Sequence, residues 1–445
     1  MKIAFFVHCF FPGHFYGTET YTLNLALRLK ELGHDPVVVT AIFPGEERQA
    51  AVVTRYEYRG IPVVCFDKNY MPNRRVRDTY HQPEVREVLE GILDEIHPDL
   101  VHVTHLVNHT AVLLEVLCAK GIPTVGTLTD FYGVCFNNKL ENAAGDLCAG
   151  PNASRSNCLA CYGKAVSAQP GASPRYRIFA KEKFAEPAAS LIMRARGLDR
   201  IRQSSIGPVI EDLRLRPDAL RNLYAQYAAL ITPTAFLQHA YKDNGFKNPM
   251  HAIWFGTDID RNQLSDTRPA NGPVRFGFIG QIAPHKGTDL LINAFNRLPK
   301  GRATLDIYGP AQQDPRYFAE LEKIAGEGVQ FRGTFPSTGM ARVLSGMDVL
   351  VIPSVWYENS PLVLLDALAT NTPVIVSNVE GLTEFISEGE TGLSFERGSV
   401  DALAVAMQRL VDDRDLLSAM IAKTAYPRTV SDMVDDTLRV YGTVV

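Results

Sequence analysis

Apolar runs alternate with helical patterns along this chain, and they do so in two successive series. In the first half the runs are KIAFFV, DPVVVTAI, IPVVCF, DLVHVTH, IPTVGTL and AALITPT. In the second half they are VRFGFIG, ATLDIYG, VQFRG, MDVLVIPS and TPVIVS. These runs are apolar nearly throughout, not on every second residue, which suits strands covered by helices on both faces of a parallel sheet. Between them lie helical patterns such as ETYTLNLALRLKEL and TDLLINAFNRL. Strand–helix alternation of this kind predicts an α/β fold with a doubly wound sheet in each half.

At 445 residues the chain is too long for a single core, and 46% hydrophobic content marks it as globular. The expected division is a Rossmann-like domain over 1–255, a second over 256–425, and a tail helix over 426–445 that crosses back to the first. The hinge is expected within 254–273. A net charge of −4 argues against nucleic acid as the main partner. No apolar run is long enough to span a bilayer, and the opening MKIAFFVHCFFPG reads as a first strand, not as a cleaved signal. Seven cysteines without an export signal suggest a reducing cytoplasm.

In open parallel sheets, ligands bind at the C-terminal ends of the strands. Three loops at such positions carry chemistry. FPGHFYGTET follows the first strand; Gly13 and Gly17 allow close backbone approach, and a helix starting near Thr18 would present its N-terminus. GQIAPHKG, residues 280–287, is a glycine-bounded loop leading into a helix, with Lys286 as a point charge for phosphate. YENSPLVLLDALA, residues 357–369, reads as a helix with Ser360 at the N-cap and Pro361 at the first helical position. Two acids flank this helix start. Glu358 reads as a loop acid or as a ligand contact. Asp366 has Leu362, Val363 and Ala369 on its side of the helix, so either it faces the one wet side or it awaits a partner or a ligand hydroxyl.

These loops resemble glycosyltransferase family 4, retaining enzymes of GT-B fold. The resemblance is strongest in GQIAPHKGTDLLINAFNRL, DIYGP and GMDVLVIPSVWYENSPLVLLDALATNTPVIVSNVEGLTEFISEGETGLSF. It implies two facing Rossmann-like domains. It also implies that Glu358 meets hydroxyls of a donor sugar, that Asp366 holds the ribose, and that backbone amides near Ser360 and Leu362, with Lys286 and Gln281, meet the diphosphate. Gly17 would line the donor site from the first domain. The activity implied is transfer of a sugar, with retention, from a UDP-, GDP- or dTDP-linked donor to a saccharide, lipid-linked or protein-linked acceptor, with no catalytic metal. The rival readings are a catalytically silent nucleotide-sugar-binding scaffold and a nucleotide-sugar epimerase.

Three departures from the family pattern stand out. Asp366 replaces the usual Glu, Gln281 replaces an Arg, and Thr129 in TLTD replaces a His, leaving Asp130. His105, at the end of DLVHVTH, either lines the same cleft or is a structural strand-end residue.

Residues 131–222 interrupt the alternation. Cys135, Cys148, Cys158 and Cys161 have spacings able to close on one tetrahedral structural zinc; free thiols or a disulfide are the alternative. The Gly-, Asn- and Ser-rich loop between them is expected to lack a core of its own. A subset of the family carries a similar cysteine-containing segment. From Arg175 to Arg221 there are eleven Lys or Arg and six Asp or Glu, a local charge of +5. This is either a solvated helical hairpin or a docking surface for a membrane face or a diphosphate-linked lipid. The expected location is cytoplasmic, with peripheral contact to the inner face of a membrane under the second reading.

Overall fold

The computed structural model describes all residues except 170 and 265–271, and the side chains of 175 and 261 are likewise not described. The part of the expected hinge over 265–271 therefore lies outside the described residues. The chain forms two compact units, one of Met1–Trp254 with Val434–Val445, the other of Phe255–Met433.

The first unit holds an eight-stranded sheet in the order β3-β4-β2-β1-β5-β6-β7-β8. Its strands are β1 Lys2–Phe6, β2 Asp35–Ile42, β3 Val53–Tyr58, β4 Ile61–Asp67, β5 Leu100–Val103, β6 Thr124–Thr127, β7 Ala229–Thr232 and β8 Met250–Ala252. All neighbours are parallel except β3 and β4. Those two form a hairpin through Arg59 and Gly60, both at positive φ, the turn that matches the twist of paired strands. The search for continuous apolar runs overlooks β3, because VTRYEY alternates and lies at the sheet edge.

The second unit holds a six-stranded parallel sheet in the order β11-β10-β9-β12-β13-β14. The strands are β9 Val274–Ile279, β10 Ala303–Tyr308, β11 Val329–Gly333, β12 Val349–Ile352, β13 Val374–Ser377 and β14 Gly392–Phe395. The short strands β8 and β14 also escape the sequence reading. Sheet and helix side chains are buried together, Phe6 and Val39 in one core with Leu113 of a helix in the first unit, and Phe276 and Leu305 with Leu291 of a helix in the second.

The order of strands reverses once in each sheet. In the first unit the chain leaves β1 toward β2 and returns to its other side at β5; in the second it leaves β9 toward β10 and returns at β12. The crevices at these reversals, β1/β5 and β9/β12, are where loops diverge and leave room for a ligand.

The insertion over 131–222 is largely helical, with Ser156–Ser167, Glu182–Arg194 and Gly207–Tyr224 as its longer helices. The expectation that the cysteine loop has no core of its own is corrected. Ala143, Leu159 and Ala160 from that loop pack with Phe179, Ala189 and Leu213 in a separate buried cluster. The apolar material comes from helices distant in sequence, so a count over the loop alone misses it.

The last helix is Val430–Tyr441. Tyr441 is fully buried in the first unit, where its hydroxyl meets His102 Nδ1 at 2.6 Å. His102 Nε2 lies 2.7 Å from the Thr127 hydroxyl, which is 2.9 Å from that of Tyr21. Burial lowers the His102 imidazole to about 3.

Candidate active site

The second unit brings the loop after β9 against the loop after β12. The Val355 N–H donates to the His285 carbonyl at 3.0 Å. Gly287 stands at φ 71°, and a Cβ there would lie 2.1 Å from the Pro353 carbonyl oxygen. Only glycine permits this approach and this backbone angle together. The loops thus carry Lys286 to Glu358, whose Nζ and Oε1 are 2.6 Å apart. Ser354 Oγ and Trp356 Nε1 donate to the same Oε1 at 2.6 and 2.9 Å. The Trp356 ring also lies 4.0 Å from that of His285, centroid to centroid.

Glu358 is only 7% exposed. Burial pushes its carboxyl upward, but the Lys286 charge and the three donors outweigh burial and hold it below the usual range. It is therefore an ionised, oriented carboxylate at neutral pH. Its backbone is equally constrained. Gly381 stands at φ 81°, and a Cβ there would fall 1.7 Å from the Glu358 carbonyl oxygen.

The helix begins one residue later than its sequence suggests, at Leu362, with Pro361 as the N-cap. The expected N-cap role of Ser360 is corrected. Ser360 takes a left-handed conformation, φ 52°, and its buried Oγ has no hydrogen-bond partner. A non-glycine residue held at positive φ beside a helix N-terminus is a strained position of the kind found at ligand sites. The first N–H groups of the helix, those of Leu362 and Val363, have no carbonyl partner within it.

Asp366 lies half-buried in that helix, and no donor or cation meets its carboxylate among the described residues. Burial first, and the negative charge of Asp258 second, push it up to about 7. Gln281 is half-buried in the Lys286 loop. Lys286, Gln281, Glu358, Ser360, Leu362 and Asp366 thus all lie on the two segments that flank the β9/β12 reversal.

The first unit places His105 and Asp130 together at the β1/β5 reversal. His105 Nδ1 accepts from the Val107 N–H at 3.1 Å, so Nε2 carries the proton and donates to Asp130 Oδ2 at 2.9 Å. The second carboxylate oxygen of Asp130 accepts from the Tyr132 N–H at 2.8 Å. The Thr129 hydroxyl instead donates to the Thr104 carbonyl at 3.0 Å, tying two strand ends. The His8 ring lies 4.2 Å from that of His105 and its Nε2 is 3.4 Å from Glu19 Oε1. Gly17 is exposed at the start of the helix Gly17–Glu31, where Glu19 Oε2 accepts from the Tyr16 N–H at 2.9 Å.

Cys135, Cys148, Cys158 and Cys161 line one small cavity with Phe136, Glu141 and Asn157. Cys148 Sγ accepts from the Gly150 N–H at 3.4 Å and from Asn157 Nδ2 at 3.5 Å. All four are free thiols. Among the described residues, only His8, Cys9 and Glu19 bring three potential ligand atoms within 4.8 Å of one another.

The sequence reading misses Ser354, Trp356 and Gly381. Ser354 and Trp356 precede Glu358 closely enough to be suspected, but Gly381 lies in NVEGLTEF, with no local sign that it faces Glu358.

Comparison with known proteins follows the same division. Residues 15–141 match the model of Glycosyltransferase Family 4, and residues 273–413 match that of Glycosyl transferases group 1. Each match covers under a third of the chain, one in each unit. Glycogen synthase of Mycobacterium tuberculosis is 32% identical over 180 residues, covering 40% of this chain and 43% of that protein. The D-inositol 3-phosphate glycosyltransferase of Stackebrandtia nassauensis is 32% identical over 185 residues, covering 38% and 41%. The chain thus spans well under half the length of these glycosyltransferases. Whole-chain likeness appears in structure. Sucrose-phosphate synthase of Thermosynechococcus elongatus has a TM-score of 0.65 at 16% identity, covering 99% and 98%. HepE of Anabaena, solved with UDP and glucose, has 0.63 at 15%, covering both chains fully. At this identity the likeness concerns the fold, and it bears out the two-domain GT-B class.

Proposed function

We propose that this chain is a retaining glycosyltransferase that moves a sugar from a nucleotide-sugar to a hydroxyl of a saccharide, lipid-linked or protein-linked acceptor. The observation that carries this reading is the Lys286–Glu358 pair at the β9/β12 reversal, with the unpartnered carboxylate of Asp366 one turn into the helix that follows. Each group has a task on such a donor. Glu358, kept ionised, accepts from sugar hydroxyls. Lys286, the Ser360 hydroxyl and the first N–H groups of the helix at Leu362 meet the diphosphate. Asp366 accepts from the ribose. The bond from the anomeric carbon to the phosphate oxygen breaks, and a bond to the acceptor oxygen forms on the same face. The acceptor proton passes to the departing diphosphate. In the first unit, Asp130 holds the His105 imidazole at the β1/β5 reversal, a place where a ligand would bind.

Structures of HepE contain UDP and UDP-glucose, so UDP-glucose is the first donor to try. Incubation with UDP-, GDP- and dTDP-sugars, with and without sugar acceptors, tests the proposal. Donor-dependent transfer or hydrolysis that disappears in Glu358→Ala supports it. Nucleotide-sugar binding without turnover supports a scaffold instead, and sugar isomers formed without acceptor support an epimerase.

The four cysteines carry a second, separate proposal of a structural zinc. The donors aimed at Cys148 Sγ are of the kind that stabilise a metal-bound thiolate. Closure on one ion would draw the thiols inward across the cavity they line.

A further inference from the structure

The insertion carries an exposed apolar surface that the site above does not explain. Thirteen large hydrophobic residues are exposed among those described, and four of them fall between residues 178 and 198: Ile178, Phe184, Leu191 and Leu198, at 47, 55, 70 and 61% exposure. The helix Glu182–Arg194 shows why they cluster. Its Ala185, Ala189 and Met193 are buried in the core of the insertion, as spacings of four residues demand. Phe184, Pro187 and Leu191 recur at spacings of three and four on the water-facing side. A helix that is apolar on the side away from its own core has a face left over.

The charges around this face have one dominant sign. Residues 177–202 hold seven Lys or Arg and three Asp or Glu, a local +4 against −8 for the rest of the chain. Lys164 takes Glu182, and Arg202 lies 3.9 Å from Asp199. Arg177, Lys181, Lys183, Arg194 and Arg200 are exposed and have no ion-pair partner among the described residues. A soluble protein partner of ordinary composition does not require this combination. A lipid interface with anionic headgroups does: apolar side chains enter the headgroup–acyl boundary while Lys and Arg stay at the phosphate level. The opposite charge on the remainder orients the chain with this face toward the lipid.

We propose that the face built by Ile178, Phe184, Leu191 and Leu198 and its ring of cations docks on an anionic bilayer surface. The inference does not depend on the activity proposed above. Attachment is peripheral, because no described helix is long and apolar enough to cross a membrane.

The test is flotation of the full chain with phosphatidylcholine vesicles, with and without phosphatidylglycerol, at low and high salt. Binding should require the anionic lipid and weaken with salt. Phe184→Ser with Leu191→Ser, and separately Lys181→Glu with Arg194→Glu, should each lower binding by roughly tenfold or more. The altered side chains are exposed, so thermal melting and nucleotide-sugar binding should stay as in the unaltered protein. Equal flotation of the unaltered and substituted chains overturns the proposal, as does absence of flotation on anionic vesicles. A concentration-dependent dimer lost in Phe184→Ser with Leu191→Ser, without vesicle binding, would assign the face to a second copy and also overturn it.

Discussion

Glu358 shows how one carboxylate can be kept charged while buried. Lys286, Ser354 and Trp356 converge on the same oxygen, so the other oxygen remains for a ligand. Glu358→Ala should lower transfer by about 10²–10³ at saturating donor, as loss of an oriented transition-state contact does; steady-state kinetics with the best donor checks it. Asp366 behaves differently, because its pKa of about 7 places ionisation within the working range. Its charged form predominates above that pH, so nucleotide affinity should rise as pH passes upward through about 7. Asp258→Asn removes a negative neighbour and should move the inflection to lower pH. Titration calorimetry across this range reads both, and an inflection unchanged in Asp366→Asn would assign it elsewhere. Gln281→Arg adds a cation in the Lys286 loop and should tighten binding of a nucleoside diphosphate; unchanged affinity would place Gln281 away from the diphosphate.

At the scale of elements, the site depends on loops held by backbone contacts that side-chain chemistry does not announce. Gly381 is the clearest case. Gly381→Ala puts a methyl group into the Glu358 carbonyl and forces an L-residue to φ 81°. The Glu358 loop must shift, so turnover should fall even though no catalytic side chain is altered, and the melting temperature should drop as well. In the insertion, Cys158→Ser should lower both zinc content and melting temperature if the four thiols hold an ion, because metal binding would add folding free energy there. Metal analysis of protein purified without chelator decides it. About one zinc per chain is the expected result, and none with four reactive thiols excludes the site.

For the whole molecule, the buried histidines of the first unit tie stability to pH. Burial lowers His102 to about 3 and His109 to about 4, both below the ordinary value of 6.5. The unfolded chain therefore takes up protons first as pH falls. Stability is fully present above about 6.5 and declines between there and 3–4, with a slope of about 1.4 kcal/mol per pH unit for each histidine that must stay neutral. Denaturant melts of the full chain at stepped pH check the sign. His102 also holds Tyr441 of the last helix, so Tyr441→Phe should destabilise the first unit by about 1 kcal/mol, the usual size of one buried hydrogen bond.

The two series of strands and helices were legible because full burial of a parallel sheet leaves long apolar runs, a pattern local to each element. Lys286 and Glu358 were legible as candidates because they sit in loops that follow strands, where ligands are met, and Asp366 because it stands among apolar residues of a helix. β3 was not, since an edge strand alternates and its partner is fixed by a turn at Arg59 and Gly60. Nor was the left-handed Ser360, which displaced the expected cap, because its backbone is set by the packing around Glu358. Sequence alone therefore determined the fold class and singled out Glu358, Asp366 and Lys286 as candidates beside one strand-order reversal. Tertiary structure alone decided that three donors share one oxygen of Glu358, that Gly381 supports it, and that the insertion turns Phe184 and Leu191 outward. The reason is physical: periodicity records whether a residue is buried, while contacts between distant loops depend on the crossing order of the strands, which no local pattern carries.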